Sequence, residues 1–218
     1  MKNTDILTKL PKNSRQPRGE DHLSGTSRSG YFYVACSEAA LTPSEIDCEA
    51  ADDILTHNNL ANLINSTDMN CISAMQYAVE VLQVENIVIC GHYGCKGVTT
   101  AIEGCGLDFL GNWLSPVVRI ADKYKSLLDN ISDKSMRIDV LCKLNVIEQV
   151  LNTCRTSVVK EAWLRGQKLT VSGIIYDHKK DVFCHSLHPV NSNDSLGKAY
   201  DESLVALLNQ DDLNPYIR

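Results

Sequence analysis

An α/β fold with a mainly parallel sheet is predicted for this chain, and three observations predict it. Residues 31–35 form a short aromatic and β-branched run, and 86–90 form a continuous apolar run; both have the length and composition of buried strands. Between them Ile72, Met75, Val79 and Leu82 recur at helical spacing, which predicts a helix over about 68–84. Strand, loop, helix and strand in that order require a crossover, and a crossover of this kind joins parallel neighbours.

The remaining elements follow in chain order. Residues 1–29 are rich in Lys, Arg, Ser, Asn, Gly and Asp, show no hydrophobic period and read as a polar, flexible N-terminal arm, so a single domain is expected over 30–218. Thr42-Pro43-Ser44-Glu45 offers an N-cap, a proline at the first helical position and a glutamate at the third, the signature of a short helix after Cys36. A short helix is expected at 98–103, then a longer one carrying Trp113, Val117, Ala121, Tyr124 and Leu128. From Ser135 the apolar positions Met136, Val140, Leu144, Ile147, Leu151, Cys154 and Val158 form one amphipathic stretch that stops near Gly166. Residues 168–176 and 182–187 read as strands joined by the polar turn Asp177-His178-Lys179-Lys180-Asp181, and 203–208 belong to a last helix.

Composition narrows the function. A length of 218 residues fits one α/β domain, and no apolar run is long enough to span a bilayer. The first residues carry no apolar secretory core, so the expected compartment is the cytoplasm. A formal charge of −6 gives no reason to expect nucleic-acid binding. Nine cysteines, an odd count without an export signal, argue for thiols over a disulfide framework. Cys71, Cys90, Cys142 and Cys154 fall within helical or strand patterns, where free cysteine packs as a small hydrophobe.

Three other residues form a candidate metal site. Cys36 ends the first strand, and His92 lies just past the end of the apolar strand at 86–90, with Cys95 three residues on. Ligands gather at this edge of open parallel sheets, and Gly91, Gly94 and Gly97 relax the backbone around His92 and Cys95. Two thiolates and one imidazole fill three of the four tetrahedral positions of Zn²⁺, so the chemistry turns on whether water or protein fills the fourth. Glu38, two residues past Cys36, is the candidate to decide that. His57 reads as a structural hydrogen-bonding residue, His22 and His178 as solvated, and Cys184, His185 and His188 as an unusual spacing that does not make a site.

The segments Ala61-Asn62-Leu63, Asn70-Cys71-Ile72-Ser73, Gln76-Tyr77-Ala78-Val79, Ile89-Cys90-Gly91-His92-Tyr93-Gly94-Cys95, Leu144-Asn145-Val146 and Arg165-Gly166-Gln167-Lys168 closely resemble bacterial β-class carbonic anhydrases. The resemblance covers roughly 31–190. It implies a parallel sheet with an added antiparallel strand, self-association as a dimer or dimer of dimers, Zn²⁺ held by Cys36, His92 and Cys95, and reversible hydration of CO₂ to bicarbonate. The chain departs from that family's first motif, Cys-x-Asp-x-Arg, by reading Cys36-Ser37-Glu38-Ala39-Ala40. With Ala40 there is no local arginine to hold the carboxylate, and Glu38 is one methylene longer than aspartate, so it either orients water or approaches the metal as a fourth ligand. Lys96 stands where the family commonly has glycine and reads as a solvated side chain; Asn58 replaces the arginine of a regulatory bicarbonate pocket whose aromatic partners match Tyr33 and Tyr77. Two functions stay open: an enzyme with impaired CO₂ hydration, and a non-catalytic zinc protein with a closed site. A thiol redox protein is a weaker third, since no Cys-x-x-Cys pair is present.

Overall fold

The computed structural model describes residues 30–39, 54–104, 106 and 108–208. Five strands, β1 (Tyr31–Cys36), β2 (Ile54–Asn59), β3 (Asn86–His92), β4 (Thr170–Asp177) and β5 (Val182–Val190), form one sheet in the order β2-β1-β3-β4-β5. The first four run parallel, and β5 pairs antiparallel with β4. The expected α/β architecture with an added antiparallel strand is therefore present. The arm at 1–29, the helix signal at 42–45 and Ala40 lie outside the described residues.

The helices are α1 (Met69–Gln76), α2 (Lys96–Glu103), α3 (Phe109–Lys123), α4 (Lys125–Asp129), α5 (Lys134–Arg155), α6 (Ser157–Leu164) and α7 (Asn193–Leu208). Among the described residues none is long and apolar enough to cross a membrane. The helix expected over 68–84 is α-helical only to Gln76 and continues as a π-turn over Tyr77–Val81. The amphipathic stretch from Ser135 is two helices, because Thr156 is extended at φ −62 and ψ 150. Its hydroxyl donates to the Thr153 carbonyl at 2.7 Å and accepts from the Val159 amide at 3.3 Å, closing one helix and capping the next. The apolar period runs through unbroken, which is why the sequence pattern hides the break.

Strand β2 was not expected. It is an edge strand whose residues alternate between half-buried and exposed, with Thr56 and Asn58 outward, and its asparagines and histidine read as loop residues. Strand β3 runs two residues beyond the expected end, so His92 is the strand's last residue and not part of the loop after it. The pairing of Cys90, Gly91 and His92 with Ile174, Ile175 and Tyr176 of β4 carries it that far.

Helix α5 is the central support. Phe32, Val34, Ile87, Ile89, Val146, Ile147 and Val150 form the core between the sheet and this helix, all at most 1% exposed. Cys71, Cys90, Cys142 and Cys154 are buried as expected, none above 2% exposure. The polar residues of α5 that point inward are paired. Asn145 Nδ2 donates to the Ala61 carbonyl at 2.9 Å, Gln149 Nε2 donates to Asn145 Oδ1 at 2.9 Å, and Gln149 Oε1 accepts from the Ile64 amide at 2.9 Å. This ladder fixes the segment after β2.

Gly91 allows α5 to lie close to β3, since a Cβ there would stand 2.5 Å from Val146 Cγ2. Gly91→Ala is expected to destabilise the fold by about 1–3 kcal/mol through overpacking, read as a lower urea midpoint at unchanged slope. Val146→Ala in the same chain should recover part of that loss.

Candidate metal centre

The C-terminal ends of β1 and β3 place Cys36 and His92 side by side on neighbouring strands, and Cys95 follows as the residue that caps α2. The turn between them depends on Gly94 at φ +66, a left-handed conformation, and its amide donates to Asp139 Oδ1 of α5 at 3.0 Å. Cys36 Sγ and Cys95 Sγ lie 3.7 Å apart, close to the roughly 3.8 Å that two thiolates span on tetrahedral Zn²⁺. One ligand atom each from Cys36, Glu38, His92 and Cys95 falls within 4.8 Å of all the others.

The imidazole is aimed at this cluster. Its Nδ1 lies 3.2 Å from the Tyr93 carbonyl and 3.3 Å from His178 Nε2, while Nε2 is buried without a hydrogen-bond partner, 3.9 Å from Glu38 Oε2. A buried imidazole nitrogen with nothing to bond is costly, and a metal ion removes that cost. The donor set of two sulfurs and one imidazole fits Zn²⁺ in chemistry as well as in spacing.

The two cysteines differ electrostatically. The Cys95 thiol beside Cys36 holds Cys36 well below the ordinary thiol range; burial opposes this, and His92 and the amides of Glu38 and Ala61 add to it. Cys95 is pushed upward by the same contact with Cys36 and by burial. The Ala61 amide donates to Cys36 Sγ at 3.3 Å. Ala61 reaches it from a left-handed backbone, φ 65 and ψ 23, that an alanine adopts only at a cost of about 1–2 kcal/mol. Burial disfavours charge on His92, yet the neighbouring Cys36 thiolate and Glu38 raise it overall.

Glu38 is held by a residue other than an arginine. Its Oε2 accepts from the Lys96 amide at the start of α2 at 2.7 Å, and Lys96 Nζ stands 3.6 Å from Oε1. The ammonium is 88% exposed, so the backbone donor and the helix N-terminus carry more of this restraint than the side-chain charge. The Lys96 side chain is solvated as expected, and its backbone amide is what engages Glu38. His178 lies in the exposed turn expected for it and also packs edge-on to His92 with centroids 5.3 Å apart. Placing it by sequence required knowing that β3 extends to His92, whose partner Tyr176 leads straight into the turn that carries His178. Cys184, His185 and His188 do not join a metal-type cluster among the described residues.

A family model described as carbonic anhydrase matches residues 31–182. A carbonic anhydrase of Emericella nidulans is 31% identical over 168 residues, covering 77% of this chain and 74% of its own. A solved β-carbonic anhydrase from Coccomyxa, in complex with acetazolamide, superposes with a TM-score of 0.72 at 26% identity, over 84% of this chain and 86% of that one. A structure from Sordaria macrospora, one of two described as tetrameric β-carbonic anhydrases, superposes at 0.69 and 26% identity, over 75% and 84%.

Because Gly94 meets nothing within 4 Å where a Cβ would project, its substitutions test the backbone alone. Gly94→Val should cost about 1–2 kcal/mol of stability in urea unfolding, and Gly94→Asn clearly less, since asparagine tolerates the left-handed region.

Proposed function

Since the chain belongs to the β-class carbonic anhydrase family, we propose that it hydrates CO₂ reversibly to bicarbonate with Zn²⁺ held by Cys36, His92 and Cys95, at a rate reduced by the altered Glu38/Ala40 pair. The observation that carries this reading is the unpartnered His92 Nε2, buried beside two cysteine sulfurs at metal-ligand spacing. Zn²⁺ bound there supplies Lewis acidity that lowers the pKa of water. The three ligands fix the ion's place, and the amide of Ala61 steadies the Cys36 sulfur. The contacts of His92 Nδ1 with Tyr93 and His178 support presentation of Nε2 to the metal.

Glu38 shares the cluster of candidate ligand atoms, where its carboxylate would be placed to orient a water. With both carboxylate oxygens engaged by Lys96, it is better suited to accept a hydrogen bond from that water than to leave its partners and ligate. The restraint is looser than a bidentate arginine would give, because one donor is a backbone amide and the other a solvent-exposed ammonium. Reduced turnover follows from poorer orientation. A second reading, a non-catalytic zinc protein closed by Glu38, is favoured by the inclusion of its carboxylate in the same 4.8 Å cluster. Self-association as a dimer or dimer of dimers, supported by the tetrameric Sordaria relatives, and a cytoplasmic location complete the proposal.

Metal analysis of purified, reduced protein is expected to show that Cys95→Ala and His92→Ala each lose one equivalent of tightly bound zinc, whereas Cys184→Ser, at an exposed position, loses none. Zinc unchanged by Cys95→Ala would sink the ligand assignment.

Stopped-flow CO₂ hydration by zinc-loaded protein between pH 7 and 9 should fall on the order of 10²-fold below rates typical of the family. The double substitution Glu38→Asp with Ala40→Arg should raise the rate more than either change alone. Full family-level turnover by the unmodified chain would overturn the impaired-orientation reading; no turnover in either protein would favour the closed site.

A further inference from the structure

We propose a second metal site, for a zinc-class divalent ion, formed by His57 of β2, Asp68 at the N-cap of α1 and Cys71 in its first turn. One ligand atom from each lies within 4.8 Å of the other two. The group is separate in chain and in fold from the Cys36 centre, and the assignment does not depend on the function proposed above.

Geometry and unsatisfied chemistry carry it together. His57 Nε2 is buried with no hydrogen-bond partner. The side chains of the three residues, though gathered, make no hydrogen bond or ion pair with one another, so the cluster does not satisfy itself. Asp68 uses Oδ1 to cap α1, accepting from the Asn70 amide at 3.1 Å and the Cys71 amide at 3.4 Å, which leaves Oδ2 for an ion. Cys71 is fully buried at 0% exposure, while His57 and Asp68 are half-buried. A tetrahedral ion would draw the three ligand atoms to about 3.5 Å from one another, a contraction within reach of side-chain rotation.

The donor set selects the ion. Sulfur, imidazole nitrogen and a single carboxylate oxygen suit Zn²⁺ or Co²⁺ and are wrong for Mg²⁺ or Ca²⁺, which take oxygen shells. Charge selects it too: a thiolate, a carboxylate and a neutral imidazole cancel a divalent ion, so the assembled site buries no net charge. Binding must release the Cys71 thiol proton to solvent as the sulfur–metal bond forms. An ion here would join the sheet's edge strand to α1.

The test uses the full chain in the Cys95→Ala background, which removes a ligand of the first centre and separates the two assignments. Apoprotein is equilibrated with buffered Zn²⁺, or with Co²⁺ for spectroscopy. The expected result is one equivalent retained after Cys95→Ala, with thiolate-to-cobalt charge transfer, tetrahedral visible bands and a zinc-dependent rise in Tm. Adding His57→Gln or Asp68→Asn should abolish all three while the fold persists, because both positions are half-buried and asparagine still caps the helix. The proposal is overturned if Cys95→Ala binds no metal, if cobalt there shows no sulfur ligation, or if the retained equivalent survives both His57→Gln and Asp68→Asn.

Discussion

Everything at the metal centre rests on a ladder of buried amides from α5 to the segment that follows β2. Asn145 and Gln149 sit at or below 1% exposure in a helix whose buried face is mainly aliphatic, and they hold Ala61 and Ile64 by their backbones. Buried amides are tolerable only when each donor and acceptor is met, and here one residue of the helix satisfies the next before reaching the loop. The reward is positional. Ala61 is held in a left-handed conformation, and from there its amide faces the Cys36 sulfur. Strain at one residue is balanced by hydrogen bonds from a helix remote in sequence.

The second constraint is electrostatic. Two thiolates leave a bound divalent ion with no net charge, so the surroundings decide how acidic a coordinated water becomes. The groups nearest the Glu38 carboxylate among the described residues are an amide and an exposed ammonium from the start of α2. Such donors hold a carboxylate without fixing its plane. A pair that forks around both oxygens would fix it.

How much of this was legible in the sequence differs by element. The alternation of strand and helix, the core cysteines and the gathering of Cys36, His92 and Cys95 at one sheet edge could be read because apolar period and residue chemistry are local properties. Strand β2 escaped because an edge strand carries a polar outer face, and Thr56-His57-Asn58-Asn59 has too few apolar residues to mark it. The break at Thr156 escaped because a capping threonine interrupts the backbone without interrupting the apolar stripe. Lys96 and His178 escaped for a different reason. The first acts through its backbone amide, which has no sequence signature, and the second meets His92 across 86 residues of chain.

The strand order has a consequence for how the protein comes into being. Cys36 ends the first strand made, but its neighbours in the sheet are β2 and β3, and β4, which flanks β3 on the other side, is synthesised only after all the intervening helices. His92 and Cys95 are available together as soon as their turn emerges, whereas the full ligand set exists only once β1 and β3 have paired. His92 and Cys95 are thus neighbours early, and Cys36 joins them only with the non-local pairing of β1 and β3. The candidate centre is assembled by that one strand pairing.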